Sequence, residues 1–443
     1  MPDKMKMDMP LAENYENVAP VLTSAGVDWL DALRRDGLAR YGALGLPNPR
    51  VEAWKYTNLT RMGRTKFVSA VTATQPSLDQ IPAGALDIDA VKLVLVNGRL
   101  RPEFSDLAQL PDGVTAVSLA EAVAGKAPDL ESILRSAVSG HDMPMLALNA
   151  AYLNDGVVID VEKGRAIDIP IHLISIGVSD GEPIAFHPRN VLRVGAGASV
   201  TVYESHMGLG GSYLSNGAMD IHIDEDALLR HRKLQNEAEN GYHVATASVV
   251  LEAHARYENY TLHIGGRLVR NEIHAVLNGK GADCNLYGAY AGRGSQHIDT
   301  TTFVDHAAPE CTSREVYKGA LDDNARGVFQ GKILVRKGAQ KTDGHQLNKA
   351  LLLSEGAEID SKPELEIYAD DVKCSHGATS GELDEEQLFY LRARGIDEAE
   401  ARDLLVAAFL GDSLDVIGDE DRREAFRKII LNWLAGRSQR QEG

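Results

Sequence analysis

The sequence predicts a mainly β protein: a parallel β-helix core over residues 151–380, between a mostly helical N-terminal domain over 1–150 and a helical C-terminal domain over 381–443. Short strands without a helical period fill the middle of the chain, and similar tight corners recur between them at a near-constant spacing. After Gly381 the apolar period returns to 3.6 residues.

In the N-terminal segment, Leu30, Leu33, Leu38 and Tyr41 share one helical face, with Asp31, Arg34, Arg35 and Arg40 between them. The sequence Gly45-Leu46-Pro47-Asn48-Pro49 ends that helix, because proline lacks the amide donor and restricts the residue before it. Residues 69–90 read as a connecting loop rich in Ala, Thr, Pro and Asp, and residues 118–138 resume helical spacing.

Strands are expected at Val157 to Val161, Ile171 to Ile176, Val191 to Val194, Val200 to Glu204, Ile221 to Ile223 and Ile273 to Leu277, with no long helix between about 156 and 380. The corners Gly195-Ala196-Gly197-Ala198, Asp224-Glu225-Asp226-Ala227, Glu252-Ala253-His254-Ala255 and Lys280-Gly281-Ala282 place alanines 29, 28 and 27 residues apart. A stacked solenoid needs such a rhythm, since one coil cannot bury its apolar face alone and must set the same corner above the previous one. A later set, Ala325, Ala339 and Ala357, is spaced by 14 and 18 residues and breaks the rhythm. An antiparallel β-sandwich that reuses its turns accommodates the same corners.

In the last segment, Asp384 with Gln387 and Asp397 with Glu400 form helix-start patterns, and Gly395 is a stop. Two amphipathic stripes follow: Ala401, Leu404, Leu405, Ala408 and Phe409, then Phe426, Ile429, Ile430, Trp433 and Leu434. Such stripes serve as core or as a partner surface.

Lys plus Arg number 46 against 64 Asp plus Glu, a net charge of −18, which argues against nucleic acid and anionic membranes as partners. Cys284, Cys311 and Cys374 are too few and too scattered for a disulfide framework and point to free thiols in a reducing cytoplasm. The opening residues Met1–Pro10 lack the apolar core of a secretory signal. The longest apolar run, Leu404 to Leu410, is far short of a membrane span.

The common catalytic signatures are missing. Gly125-Lys126, Gly279-Lys280 and Gly331-Lys332 lack the following Ser or Thr of a phosphate loop, so ATP hydrolysis by this chain alone is not expected. No Gly-x-Ser-x-Gly, His-Glu-x-x-His or Cys-x-x-Cys occurs. His222, His231, His243, His254, His263 and His274 recur through the strands among charged residues, where outward-facing solvated imidazoles are expected. Asp220 with Asp224, or Asp322 with Asp323, offers paired acids for a carbohydrate-active β-helix enzyme, although acids near corners commonly serve the turn. Cys374-Ser375-His376 is chemically distinctive. If the strand beginning near Glu364 continues, Cys374 and His376 share one face about 6 to 7 Å apart, and their donors suit iron–sulfur, zinc or copper(I). Two ligands do not close a tetrahedral site, so the remainder would come from another chain or a bound group. Cys284 and Cys311, with no soft donor at chelating spacing, read as core residues.

Glu52-Ala-Trp-Lys-Tyr-Thr57, the stretch Lys362-Pro-Glu-Leu-Glu-Ile-Tyr-Ala-Asp-Asp-Val-Lys-Cys-Ser-His-Gly-Ala-Thr379, and Glu382-Leu-Asp-Glu-Glu-Gln-Leu-Phe-Tyr-Leu-Arg-Ala-Arg-Gly-Ile396 resemble the SufB/SufD family of iron–sulfur cluster assembly proteins over essentially the whole chain. The resemblance is to its SufD members. SufB members are expected to carry an acidic Glu-His type sequence in place of Lys373-Cys374-Ser375-His376, and a cluster-building thiol near Asn348.

The resemblance implies a right-handed parallel β-helix, a non-catalytic scaffold role, pairing with SufB through the β-helix, and binding of the ATPase SufC through residues of about 384 to 435. In the implied complex one SufB and one SufD join two SufC, whose ATP-driven dimerisation is expected to expose the SufB–SufD interface. By position, Cys374 and His376 become candidate iron or cluster ligands at that interface, and the cluster a transient cargo. The residues are silent on a flavin. A self-sufficient metal-binding homodimer, with two Cys-x-His pairs across a two-fold axis, is the alternative.

Overall fold

The computed structural model describes residues 11–73, 84–138 and 142–441. Met1–Pro10 and residues 74–83 of the expected loop lie outside the described residues. From Val157 onward the strands alternate between two facing sheets, one strand of each per coil apart from the short extra Ile184–Phe186 in the first sheet, and build eight coils. The first sheet stacks Val157–Val161, Arg189–Val194, Tyr213–Ile223, Gly241–Leu251, Leu268–Leu277, His297–His306, Arg326–Val335 and Glu358–Ile367. The second stacks Ile171–Gly177, Ser199–Gly208, Leu228–Asn236, Arg256–His263, Asp283–Gly292, Thr312–Leu321, Thr342–Leu352 and Val372–Gly381. Neighbouring coils pair in parallel, for example Arg256↔Asp283 through His263↔Tyr290, so the chain is a parallel β-helix and the sandwich is excluded. The first coil is extended by strands that helical spacing did not reveal: Val91–Val96, parallel to Ile171–Gly177, and Val114–Ser118, antiparallel to Val157–Val161.

The recurring corners have a single geometry. Ala198, Ala227, Ala255 and Ala282 each donate their amide to the carbonyl three residues back, at Gly195, Asp224, Glu252 and Gly279. The residue before each alanine is left-handed: Gly197 at φ +67°, Asp226 at +59°, His254 at +55° and Gly281 at +69°. The next coil keeps this corner with Glu310 at +61° and Cys311 in the alanine position, buried, its Sγ 3.3 Å from the Gly279 carbonyl oxygen. Cys311 lies 29 residues after Ala282 and 28 before Ala339, which restores the rhythm. Ala325 and Ala357 belong to the opposite corner, so the irregular later spacing mixed two columns. All of these Cβ atoms enter one continuous apolar core between the sheets.

The helical segments cover the outer faces. Asp28–Leu44 buries Leu30, Leu33 and Tyr41 and stops at Gly45, φ +71°. Arg34 does not point to solvent as its charge suggested; its guanidinium donates to the Leu153 and Thr23 carbonyls and pairs with Asp31. The spacing over 118–138 resolves into two helices, Leu119–Ala124 and Leu130–Val138, the first closed by a reciprocal Ser118–Glu121 capping box. The Trp54 ring stacks 3.9 Å from the guanidinium of Arg270, which is itself paired with Glu272 and Asp299. The Thr57 hydroxyl donates to Asp299, so the Glu52–Thr57 motif clamps the N-terminal segment onto the first sheet.

The C-terminal helices Glu385–Arg392, Glu398–Gly411 and Glu420–Gln441 lie on the second sheet, where Phe426 meets Tyr260 edge-on at 5.2 Å. Asp384 accepts from the Glu386 and Gln387 amides, Asp397 caps the next helix at Ala399, and Gly395 turns the chain at φ +86°. Of the stripe Phe426, Ile429, Ile430, Trp433 and Leu434, all are buried but Ile429, which is partly buried against the same cluster. In the preceding helix the buried positions are Ala401, Val406 and Leu410, while Leu404 and Ala408 are exposed. That helix is seated by a face rotated from the expected stripe.

The space between the sheets is divided lengthwise. In the second sheet, inward alternation starts apolar next to the alanine corner and continues polar: Leu229, His231, Lys233, Gln235 on one strand and Tyr257, Asn259, Thr261, His263 on the next. His231, His243 and His263 are therefore buried, against the expectation of solvated surface imidazoles; His222 and His274 are partly buried and His254 is exposed. Farther along, Glu315 accepts from the Thr302 hydroxyl at 2.5 Å and from Gln346 Nε2 at 3.2 Å, and burial pushes its carboxyl up to about 7.

The corner column predicts that Ala255→Leu destabilises the fold by about 1–3 kcal/mol through overpacking, whereas Cys311→Ala costs less than about 1 kcal/mol because the position is built for alanine; thermal unfolding of both variants compares them. Glu315 retains its proton in the fold to about pH 7, against an ordinary value of 4.5. Its contribution is thus complete below the ordinary value and lost as pH rises through the folded one, by about 3 kcal/mol in total. Glu315→Gln should unfold at a higher urea midpoint than the parent at pH 8 and at nearly the same midpoint at pH 5. A gap that stays constant with pH would contradict this assignment.

Candidate functional site

The last coil is the site's frame. Its strands Glu358–Ile367 and Val372–Gly381 each pair on one side only, with Arg326–Val335 and Thr342–Leu352, and their other edges are open. Ile367, which ends the first of these strands, and Tyr368 just beyond it are 39% and 61% exposed, far more than the core residues of inner coils. Pro363, which lacks an amide donor, sits in this edge, as do the charged Lys362 and Lys373. Lys362 Nζ lies 2.5 Å from Glu52 and 3.3 Å from Glu364, which ties the N-terminal Glu52–Thr57 motif to the same coil.

Cys374 and His376 lie on this terminal strand, two residues apart and therefore on one side of it. Cys374 is in register with Gly344 and packs against the end of the apolar core, as do Leu365 and Val372. Burial pushes the thiol up, and the backbone amide of Gly344 partly counteracts it, so metal binding at neutral pH must displace a proton. His376 is exposed and heads an interior column of Gln346 and Glu315. Among the described residues, no third histidine, cysteine or carboxylate gathers with these two into a ligand trio. On the opposite side of the strand, Ser375 meets His345 Nδ1 at 2.6 Å, and His345 Nε2 meets Asp343 at 2.8 Å.

The other singled-out residues have structural partners. Cys284 is buried in the column beneath Cys374, separated from it by Ser313 and Gly344, and burial holds its thiol well above the ordinary range. Asn348 accepts from the Tyr290 hydroxyl at 3.1 Å and donates to Ser361 at 2.7 Å, bridging the sheets with an amide. Asp220 is locked by Arg189 through contacts of 2.6 and 3.0 Å, with Asn149 behind the guanidinium. Asp322 and Asp323 accept amides of Asp323 and Gly294 in a corner, so neither acid pair is poised for general acid and base work.

The C-terminal helices leave apolar groups in solvent: Phe389 is 74% exposed, Tyr390 56%, Leu404 46% and Leu431 45%. A groove beside Leu431 is lined by Ala408, Gly411, Asp412, Asp415 and Arg427. The polar interior escaped the reading of sequence, including His206, Glu237 and His243, which gather in mid-solenoid. The signal was available in the strand phase: Val200, Val202, Glu204 and His206 continue one inward alternation. No helix among the described residues is long and apolar enough to cross a membrane.

Comparison with known proteins places this architecture. Residues 177–409 match the SUF system FeS cluster assembly SufBD core domain, and residues 5–173 match the SufBD protein N-terminal region. The iron–sulfur cluster assembly protein SufD of Escherichia coli is 34% identical over 395 residues, covering 88% of this chain and 90% of that protein. An iron–sulfur cluster assembly SufBD family protein of Synechocystis is 32% identical over 397 residues, with 87% of each chain covered. A chloroplastic protein of Arabidopsis thaliana, ABCI7, is 27% identical over 96% of this chain and 90% of its own length. The β-helix with its two helical segments is thus that of the SufBD family, and the chain belongs to this family of iron–sulfur cluster assembly proteins.

Proposed function

We propose that this chain is a non-catalytic scaffold subunit that joins a SufB partner through the open terminal coil and contributes Cys374 and His376 to a nascent cluster or iron shared between the two chains. The observation that carries this reading is the placement of an incomplete pair, one thiol and one imidazole, on the unpaired end of the solenoid. Two donors hold iron weakly, and an open sheet edge pairs with another strand. A partner edge docked there would bring the remaining ligands and cover the exposed Ile367 and Tyr368. The cluster is cargo, assembled and passed on.

In the same reading the C-terminal helices bind the ATPase SufC. Exposed Phe389, Tyr390, Leu404 and Leu431 supply apolar anchors of the kind that dominate binding energy, and helices rooted on the second sheet can transmit a displacement to the stack. ATP chemistry then belongs to SufC and cluster chemistry to the shared edge.

Anaerobic co-purification of the tagged chain with SufB and SufC, with intact-mass readout of subunits, is the direct test. The expected result is co-elution of both partners. Cys374→Ser and His376→Ala should keep the assembly and lower cluster formation at least about tenfold, whereas Phe389→Asp combined with Leu431→Glu should release SufC and retain SufB. Recovery of the chain alone, or as a homodimer that binds metal, overturns the heteromeric reading; full cluster formation by both single variants overturns the ligand assignment.

A further inference from the structure

A second donor set lies far from the terminal coil, inside the solenoid. His206 projects inward from Ser199–Gly208, His243 inward from Gly241–Leu251 of the facing sheet, and Glu237 from the loop after Leu228–Asn236. Ligand atoms of the three lie within 4.8 Å of one another, and the three side chains are buried. Among the described residues this is the one such trio.

The surroundings have the organisation of a metal site. His206 Nε2 is 2.9 Å from Glu204, whose other oxygen is 2.5 Å from His231 Nε2; His231 Nδ1 in turn meets the Tyr257 hydroxyl at 2.9 Å. This chain fixes the ring of His206 and leaves its Nδ1 without a partner. A carboxylate behind an imidazole that presents its other nitrogen is the usual support of a histidine ligand. Glu237 is held in place by Gln235 Nε2 at 3.0 Å and by the Gly266 amide, which donates to its carbonyl at 2.8 Å. His243 Nδ1 lies 2.9 Å from Glu237, off the line of a hydrogen bond, so both of its ring nitrogens are unpartnered. His263, fully buried, has two more unpartnered nitrogens, and its strand position is separated from that of His206 only by Gln235. Unsatisfied buried nitrogens are costly, and His206, His243 and His263 gather five of them in one place.

We infer that His206, Glu237 and His243 form an internal site for a divalent first-row metal ion, of the zinc(II) or iron(II) class. Two imidazoles and one carboxylate are a recurrent donor set for these ions, with a position left for water or a fourth ligand. Ligands bound at about 2.1 Å stand roughly 3–3.5 Å apart, so the trio closes on an ion by side-chain movements on the order of 1 Å. The site is complete within one chain. It therefore stands independently of the shared role proposed for Cys374 and His376.

The full-length chain, produced in zinc- or iron-supplemented medium and then stripped and reloaded anaerobically with zinc(II), iron(II) or cobalt(II), tests the inference by metal analysis after gel filtration. One ion per chain is expected, unchanged in the Cys374→Ser/His376→Ala double variant and bound at least about tenfold more weakly in His243→Ala and in Glu237→Gln. Cobalt(II) in the Cys374→Ser/His376→Ala double variant gives a readout that needs no core variant: ligand-field bands without sulfur-to-cobalt charge transfer. Absence of saturable binding, a thiolate band in that double variant, or loss of the ion with Cys374 and His376 removed would each overturn the internal site. Failure of SufB binding leaves this result untouched, so the two proposals fail separately.

Discussion

The structure depends on one steric constraint, the superposition of corners. Each coil must turn within a few residues, close its turn with an amide-to-carbonyl bond, and leave a side chain small enough to sit inside the corner above it. Alanine satisfies this in most coils and cysteine in one, and from Ala198 to Cys311 the residue before it is driven into left-handed backbone. With the corners in register, strand pairing follows with no shift over long stretches, and the side chains of successive coils fall into columns. Interior chemistry is therefore organised by column: apolar beside the corner, polar where the strands run on. The position of Cys374 above Gly344 and of His376 above Gln346 is a result of that register rather than of local sequence.

The outer layers divide the labour of the two sheets. The N-terminal segment is clamped onto the first by Trp54 over Arg270 and by Thr57 on Asp299, a buried ion network whose charges are paired from several sides. The C-terminal helices bury Phe426, Trp433 and Leu434 on the second. Each sheet is thus covered along its middle and bare at the last coil, where the solenoid runs out of its own partners.

Much of this was legible in the sequence. Alternation located the strands around Val157, Ile171, Val191, Val200, Ile221 and Ile273 but none of those from Asp283 onward, the alanine corners exposed the solenoid, and Asp384, Asp397 and Gly395 marked helix ends that the structure keeps. What was missed has physical causes. Cys311 hid the rhythm because it does alanine's work under another name, and Ala325 with Ala357 confused it because a flattened coil has two corners. Leu404 and Ala408 followed a helical period yet face solvent, since period alone does not say which neighbour a helix will find. Charged neighbours along the chain suggest water around the buried histidines, but His231 and His263 continue an inward phase begun by Leu229 and Tyr257. The shared side of Cys374 and His376 was readable from their spacing, but the single strand from Glu364 to Cys374 assumed for it is broken by a corner: one strand ends at Ile367 and the other, in the second sheet, starts at Val372.

The two ends of the solenoid also differ in a way that governs how copies can associate. At the first coil the sheets finish in short antiparallel pieces, Val114–Ser118 on one and the Leu95–Leu100 pairing on the other, which blunt the edge. Among the described residues, only the far end presents long unprotected strands. A rod that is adhesive at both ends polymerises; a rod adhesive at one end can only pair, after which nothing sticky remains. The asymmetry of its termini makes end-to-end association through this surface self-limiting, and a filament cannot grow by it.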